Sequence, residues 1–283
     1  MEGKRVAITG PTAGIGRATA LELAVRGAHL RLLCRNREKG EALAAEIAAL
    51  GAPEAVVIEM DMASLASVAE AARQLAGIDG GLEVLINNAG LINTRRRESL
   101  DGFEETLAVN HFAPFVLTGL LLPLLEDSPG ARIVNVASDA HKFVRGMGFE
   151  DMQAEKNYRI FREYGRSKLA NMLFTLGLVR RLGSKSPTVN CCHPGAVASS
   201  LGTQNAGFVS GIVPRLLKPF FKTPEQGART SLFLACDPSV AGISGRYFVN
   251  SREATPKPWA LDEAAAERLW DYTEECTGFR YTQ

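Results

Sequence analysis

The chain has 283 residues, of which 46% are hydrophobic and 22% charged, the balance of a soluble protein built as one α/β domain. The 32 Lys and Arg residues are matched by 31 Asp and Glu residues, so charge gives no reason to expect a nucleic-acid partner. Five cysteines without a CxxC spacing argue against a disulfide framework or a metal site. We see neither a signal peptide nor a run of about 18 uncharged apolar residues, so a cytoplasmic protein without a transmembrane segment is expected.

Short apolar runs alternate with longer helical patterns along the whole chain. We expect strands at residues 5–9, 30–34, 55–60, 84–87, 132–137, 188–193 and 245–249. The helices are expected at 15–26, 37–50, 65–75, 103–125, 158–182 and 223–235. Apolar strands separated by helices are typical of a parallel sheet buried on both faces. The predicted fold class is therefore α/β, a single Rossmann domain over residues 1–283 with a doubly wound, seven-stranded parallel sheet.

A glycine-rich turn, Thr9-Gly10-Pro11-Thr12-Ala13-Gly14-Ile15-Gly16, follows the first predicted strand. Glycines allow a tight turn and let backbone amides approach an anion, and the helix that follows adds a positive field at its N-terminus. The TGxxxGxG spacing differs from the GxGxxG fingerprint and could mark only a turn, but its place between a strand and a helix favours a pyrophosphate site. The predicted cofactor contacts here are Gly10, Thr12, Ala13, Gly14, Ile15 and Gly16.

The end of the second strand indicates which dinucleotide binds. An acidic residue about 20 residues beyond the glycines would bind the ribose 2′-hydroxyl and favour NAD. The chain has Cys34-Arg35-Asn36-Arg37 instead. Arg35 could be a solvated arginine, but an arginine can also bind a 2′-phosphate through two hydrogen bonds, which favours NADP(H). Asp61 and Met62, after the third strand, are expected beside the adenine, although Asp61 could equally cap the next helix.

Tyr164 and Lys168 are four residues apart on a predicted helix, so their side chains share one face. A free phenol has a pKa of about 10, and a neighbouring ammonium group lowers this pKa by stabilising the phenolate. Tyr164 could then act as a general acid in a reduction and a general base in an oxidation. Alone, this spacing also fits an ordinary amphipathic helix, so the other motifs decide between the two interpretations.

The ordered set of motifs resembles the short-chain dehydrogenase/reductase family over nearly the whole chain. Its members are TGxxxGxG at 9–16, Asn87-Asn88-Ala89-Gly90, Asn110, Ser138 and Tyr164-Gly-Arg-Ser-Lys168. The run YGRSKLANMLFT at 164–175, with His193-Pro194-Gly195, is similar to the retinol dehydrogenase branch. Pro11-Thr12-Ala13 replaces polar residues common in that branch. The resemblance therefore implies a lipophilic aldehyde, ketone or alcohol as substrate rather than retinol in particular.

The resemblance also implies a role for each of these residues. Tyr164 would be the general acid or base, Lys168 would lower its pKa and bind the nicotinamide ribose, and Ser138 would polarise the substrate oxygen. Asn110 would hold a water that links Lys168 to solvent. His193 is expected to be structural. The remaining cofactor contacts would be Asn88, Ala89 and Gly90 on the floor of the site and Pro194, Gly195 and Val197 beside the nicotinamide.

The variable segment at about 196–223 is expected to close over the substrate. Its residues 207–222 interleave bulky apolar side chains with Arg215, Lys218 and Lys222, which suits a lid and could also suit contact with a membrane surface. The overall prediction is an NADP-dependent oxidoreductase of the carbonyl reductase kind, either monomeric or a homodimer formed through its long helices. The alternative is a catalytically idle NADP(H)-binding sensor or partner protein, against which the complete set of catalytic residues argues.

Overall fold

The computed structural model describes residues 1–78, 80–183, 186–197 and 222–281. The lid expected at about 196–223 therefore falls almost wholly outside the described residues. Within the described ranges, the strands are β1 (Arg5–Thr9), β2 (His29–Cys34), β3 (Val56–Glu59), β4 (Val84–Asn87), β5 (Arg132–Val136), β6 (Thr188–His193), β7 (Tyr247–Val249) and β8 (Arg252–Glu253). The helices are α1 (Gly14–Val25), α2 (Arg37–Ala49), α3 (Leu65–Ala76), α4 (Glu105–Leu107), α5 (Ala113–Glu126), α6 (Ile160–Leu182), α7 (Pro224–Cys236) and α8 (Glu263–Thr277).

The strands form one sheet in the order β3-β2-β1-β4-β5-β6-β7-β8. Neighbouring strands from β3 to β7 are parallel, and the two-residue strand β8 runs antiparallel to β7. The predicted α/β class and seven parallel strands are confirmed, and β8 is an addition that was not predicted. The order reverses between β1 and β4, and the carboxyl ends of the strands there form the crevice in which such sheets bind ligands.

Helices cover both faces of the sheet, so the apolar strands are buried on both sides. On one face, α3, α5 and α6 pack through residues such as Val68, Phe115 and Phe174. On the other face, α1, α2 and α7 pack through residues such as Leu23 and Leu234. This double layer holds the carboxyl ends of the strands in fixed register, which positions the loops that follow them.

The long helix predicted at 103–125 is divided in the structure. After α4, a π-helical turn spans Ala108–Phe112 before α5 begins. Asn110 lies in the middle of this turn and is fully buried. π-helical turns inside helices often occur at functional positions. The hydrophobic pattern of the sequence does not reveal the turn, because apolar residues continue through it.

Residues Glu105–Glu126, taken as one helix, are long and apolar enough to cross a membrane by length and composition alone. In the structure, 78% of the most apolar window of this helix is buried inside the protein. Such burial is what the core helix of a globular domain shows. The apolar character of the helix therefore has an explanation in the packing of the sheet.

The C-terminal helix α8 lies beyond the predicted elements. Asp262 caps it by accepting a hydrogen bond from the Ala265 amide at 3.0 Å. Trp270 packs against Phe115 with ring centroids 4.8 Å apart, and the Tyr281 hydroxyl donates to the Phe115 carbonyl at 2.7 Å. Residues 270–281 therefore cover part of α5. The surplus of apolar residues on α5 was one reason to expect a homodimer. The homodimer stays a prediction.

Candidate active site

A cavity of about 710 Å³ lies along the carboxyl ends of the central strands. The predicted site residues that line it are Gly10, Thr12, Ala13, Gly14, Ile15, Gly16, Arg35, Asp61, Met62, Asn88, Ala89, Gly90, Ser138, Tyr164, Lys168, Pro194, Gly195 and Val197. Asn110 does not line it and lies behind its wall. The structure therefore brings loops from distant parts of the chain to one crevice, as the place of each motif after a strand predicted.

The glycine-rich turn has the geometry that a phosphate site needs. Gly10 and Gly14 have φ values of +63° and +53°, a region that side-chain-bearing residues rarely adopt. A Cβ at Gly16 would collide with the Gly10 carbonyl oxygen, so α1 can approach the turn closely only with glycine there. The N-cap residue Ala13 makes no side-chain hydrogen bond to the helix, and the first turn of α1 has no acidic residue. The amides at this helix N-terminus therefore suit an anion such as a pyrophosphate.

Asn88 acts partly as a brace for this turn. Its side-chain amide donates to the carbonyls of Thr9 at 2.9 Å and Gly10 at 3.2 Å. In return, the Thr9 hydroxyl accepts hydrogen bonds from the backbone amides of Asn88 and Ala89 at 3.0 and 2.8 Å. These bonds tie the end of β4 to the end of β1 and fix the floor of the cavity. The role of Thr9 depends on this cross-strand contact and was not predicted.

Two cations line the end of the cavity beyond β2. Arg35 was predicted there, and Lys39 in the first turn of α2 lines the same region. Asn36 holds that turn in place, since its side chain accepts a hydrogen bond from the Lys39 amide at 2.8 Å. Sequence reasoning missed Lys39, although a second cation in the turn after Arg35 is a readable signal. This part of the site is suited to a phosphate group.

Asp61 combines a place in the cavity lining with a local structural contact. Its carboxylate accepts a hydrogen bond from the Ala63 amide at 3.0 Å. The N-cap of α3 is Ser64, whose hydroxyl accepts from the Ser67 amide at 3.2 Å. Ser64 rather than Asp61 therefore caps α3, although capping was one of the two interpretations of Asp61. Asp61 instead shapes the turn that places Met62 in the cavity wall.

Ser138, Tyr164 and Lys168 meet in the same cavity. Ser138 follows β5 and caps a 3₁₀ turn over Asp139–Phe143, and its hydroxyl accepts from the Ala140 amide at 3.1 Å. Tyr164 and Lys168 lie one turn apart in α6. The Lys168 ammonium nitrogen is 5.9 Å from the centre of the Tyr164 ring and donates to the Val136 carbonyl at 2.9 Å. The two side chains thus face one crevice, which is the arrangement that proton exchange with a substrate would need.

The pKa of Tyr164 differs from the expectation. Burial raises this pKa, and a hydrogen bond with Ser138 acts in the opposite direction without reversing it. Burial also lowers the pKa of Lys168 to about 8. Desolvation dominates the pKa of both side chains, and the Lys168 ammonium bonds to a backbone carbonyl; the expected lowering of the phenol's pKa by Lys168 stays a prediction. The phenol is therefore protonated near neutral pH.

Asn110 is a structural brace in this geometry. Its side-chain amide donates to the Leu91 carbonyl and the Ser167 hydroxyl, both at 2.9 Å, and its oxygen accepts from the Leu91 amide at 2.8 Å. The Ser167 hydroxyl in turn donates to the Tyr164 carbonyl at 2.8 Å. Both amide hydrogens of Asn110 are thus used within the protein, and its expected role of holding a water that links Lys168 to solvent stays a prediction. A water contact would fall to its backbone carbonyl.

The turn that carries Ser138 is held by a histidine that was not predicted to matter. His141 is fully buried, and its Nδ1 lies 2.8 Å from the Ser138 carbonyl. Because a carbonyl can only accept, Nδ1 carries the hydrogen. Trp259 donates its ring N–H to the His141 carbonyl at 3.0 Å. Burial lowers the pKa of His141, so a neutral imidazole connects the C-terminal part of the chain to the serine turn.

His193 lines the other side of the crevice, and the Lys222 side chain lies beside Gly195. Burial lowers the pKa of His193 to about 4, and its Nε2 lies 4.0 Å from the Asp139 carboxylate, too far for a hydrogen bond. His193 is therefore neutral near pH 7, and the structural role expected for it stays a prediction. Val197 pairs with Lys222 as an isolated bridge, and the Lys222 amide donates to the Ala196 carbonyl at 2.8 Å. The two ends of the expected lid segment therefore meet beside the cavity.

Comparison with known proteins identifies the family. The family model described as short chain dehydrogenase matches residues 4–207. The chain belongs to the short-chain dehydrogenase family. It is 42% identical to mouse retinol dehydrogenase 14 over 297 aligned positions, which cover 98% of this chain and 87% of that protein. The predicted likeness to the retinol dehydrogenase branch is confirmed.

Solved structures give the same assignment for this short-chain dehydrogenase. An uncharacterised protein from Mycobacterium paratuberculosis matches with a TM-score of 0.79 and 30% identity, covering 100% of this chain and 96% of that one. A Beutenbergia cavernae protein described as an NAD(P)-dependent gluconate 5-dehydrogenase, solved with NADP at low occupancy, has a TM-score of 0.71 and 26% identity, covering 93% and 98%. The family consists of oxidoreductases that bind a nicotinamide cofactor.

Proposed function

We propose that this short-chain dehydrogenase transfers a hydride between NADP(H) and a lipophilic aldehyde or ketone, or the corresponding alcohol. Retinal-like, other alkyl and steroid carbonyls belong to this class. The observation that carries the proposal is the meeting of Ser138, Tyr164 and Lys168 with the glycine-rich turn in one cavity. Similarity to mouse retinol dehydrogenase 14 supports a lipophilic substrate.

The cofactor preference follows from charge at the end of β2. Arg35 and Lys39 both line the cavity there, and the segment Cys34-Arg35-Asn36 has no carboxylate that would bind a ribose 2′-hydroxyl. Two cations beside a 2′-phosphate would favour NADP(H) over NAD(H). The NADP in the Beutenbergia cavernae structure supports the same preference.

The proposed chemistry assigns the proton to Tyr164 and the polarisation of the carbonyl to Ser138. The bound cofactor supplies the hydride. In a reduction, the Tyr164 hydroxyl would donate its proton to the substrate oxygen, while the Ser138 hydroxyl would donate a hydrogen bond to the same oxygen. Since burial raises the pKa of Tyr164, the phenol is ready to act as an acid near neutral pH. Reduction is thus the direction that the resting protonation state favours.

The experiment that tests this proposal is the Tyr164→Phe variant, assayed with NADPH and a panel of carbonyl compounds. Loss of the acidic hydroxyl should lower kcat by at least about 100-fold. Binding of NADPH, measured by its fluorescence, should stay within about twofold, because the ring remains. Turnover close to the wild-type value would refute the proposed role of Tyr164, and a wild-type protein that binds NADPH without turning over any carbonyl would favour the idle sensor.

A further inference from the structure

Two exposed phenylalanines stand together at the mouth of the cavity. The exposed fractions of Phe143 and Phe161 are 61% and 62%. Their ring centroids are 6.0 Å apart at an interplanar angle of 82°, the edge-to-face contact that aromatic rings prefer. Phe143 also lines the cavity itself. We call these two side chains the aromatic pair.

The aromatic pair is attached to the two elements that carry the oxygen-binding groups. Phe143 ends the 3₁₀ turn that begins after Ser138. Phe161 lies in the first turn of α6, three residues before Tyr164. Gly165 allows the turn and the helix to touch, because a Cβ there would lie 3.3 Å from the Phe143 Cβ and 2.7 Å from the Ala140 carbonyl oxygen. The pair is therefore held at a fixed place relative to Ser138 and Tyr164.

We propose that Phe143 and Phe161 form a subsite for the hydrocarbon part of the substrate beyond its reacting carbon. This inference rests on the proposed function. A carbonyl oxygen bound by Ser138 and Tyr164 leaves the rest of the molecule to extend along the cavity wall, and Phe143 is the part of that wall that continues into the exposed pair. Rings exposed to water gain from contact with an alkyl or polyene chain.

The charges beside the aromatic pair favour a substrate over a membrane surface. Lys142 forms an ion pair with Asp139 at 2.9 Å, and Arg162 forms one with the buried carboxylate of Glu163 at 2.6 Å. Lys142 and Arg162, the cations directly beside the two rings in sequence, are thus each held in an ion pair, and Arg166 shares the Glu163 carboxylate at 2.7 Å. A surface that binds anionic lipid presents basic side chains free to meet the head groups.

The test measures how kcat/KM for NADPH-dependent reduction changes along a series of straight-chain aldehydes from butanal to decanal. In the wild-type protein, kcat/KM should rise about threefold for each methylene that reaches the aromatic pair. Phe143→Ala and Phe161→Ala should flatten this rise, with kcat/KM for decanal falling about tenfold more than kcat/KM for butanal. Leu100→Ala is the matched control, because Leu100 is 79% exposed and is absent from the cavity lining; it should retain the full dependence on chain length.

A binding measurement separates failure of the subsite from failure of the proposed function. Calorimetric titration of 1-decanol and 1-butanol into the NADP⁺ complex should show tighter binding of decanol, and this difference should shrink in both phenylalanine variants. If no aldehyde is reduced but this pattern holds, the subsite stands and the proposed function falls. If the variants keep the wild-type dependence on chain length in both measurements, the subsite is overturned. It is overturned as well if the only property that the variants lose is flotation with vesicles of phosphatidylcholine and anionic phosphatidylserine.

Discussion

At the scale of single residues, burial sets the protonation of the two central side chains. It raises the pKa of Tyr164 and lowers the pKa of Lys168 to about 8. The lysine is therefore charged below about pH 8 and becomes neutral above it. The tyrosine keeps its proton over the same range, so a pH effect on reduction near pH 8 would report on Lys168.

We expect kcat for carbonyl reduction to be flat between about pH 6 and about pH 8 and to fall above that value, because the charged Lys168 would stabilise the phenolate that remains once Tyr164 has donated its proton. Arginine stays charged throughout this range. The Lys168→Arg variant should therefore be less active but should lose the decline near pH 8. A decline that is unchanged in Lys168→Arg would assign the titration to another group.

A second residue-scale prediction concerns the choice of cofactor. Replacing Arg35 or Lys39 by alanine should raise the KM for NADPH by about 10-fold each, because a charge-assisted hydrogen bond to the 2′-phosphate is lost. The KM for NADH should change by less than about twofold, since NADH has no 2′-phosphate. Steady-state kinetics with both cofactors measure the two effects. Arg37→Ala is a suitable control, because Arg37 forms an exposed ion pair with Glu41; equal losses for both cofactors would contradict the assignment.

At the scale of elements, the turn that carries Ser138 depends on the C-terminal part of the chain. His141 bonds to the Ser138 carbonyl, and Trp259 bonds to the His141 carbonyl. The Tyr247 hydroxyl adds a hydrogen bond to the Asp139 carboxylate at 3.0 Å. Hydrogen bonds from three side chains thus hold this short turn in place, and they thereby position the Ser138 hydroxyl.

We expect His141→Ala to lower kcat by about 10-fold with little change in NADPH binding, because Ser138 would no longer be held beside the substrate oxygen. His141→Asn should recover much of the loss, since the asparagine amide can donate to the same carbonyl. Parallel measurements of kcat, KM and thermal midpoint distinguish a positioning role from simple destabilisation. Equal losses in both variants, in proportion to the fall in midpoint, would contradict the positioning role.

Much of the architecture was predictable because its signals are local. Each apolar strand and each glycine turn is marked by neighbouring residues, and the motifs fall at the carboxyl ends of the strands that those residues define. Helix α8 and His141 depend on distant partners: Trp270 packs on Phe115, and Trp259 reaches His141 across 118 positions. The partners of such contacts cannot be identified from a single sequence, but α8 itself has a readable signal, because Ala266, Leu269, Trp270 and Thr273 recur at helical spacing after the N-cap residue Asp262.

At the scale of the whole molecule, the last residues complete the core. Phe279 and Tyr281 contact Gly119, where a Cβ would collide with the Phe279 ring. Trp270 and Tyr281 pack with their ring planes tilted by 55° and their centroids 4.6 Å apart. The C-terminal segment therefore belongs to the packing of α5 and α6, and its loss would expose a buried apolar surface.

We expect removal of residues 279–283 to lower the free energy of unfolding by about 2–4 kcal/mol, because buried aromatic contacts are lost. Tyr281→Phe removes only the hydrogen bond to the Phe115 carbonyl and should cost about 1 kcal/mol. Urea denaturation compares the two variants, and light scattering shows whether the exposed face of α5 drives self-association. A truncated protein as stable as the wild type would show that these contacts contribute nothing to stability.

Two of the contacts that hold the serine turn come from Tyr247 and Trp259. The hydrogen bonds that hold the glycine-rich turn, by contrast, involve no residue beyond Ala89. During translation the amino-terminal part of a chain is synthesised first. A nascent chain therefore possesses the nucleotide-binding half of the protein well before the serine turn is anchored. Products stopped before residue 247 would therefore retain the glycine-rich turn and its Asn88 brace but would lack the two contacts that Tyr247 and Trp259 make with the serine turn.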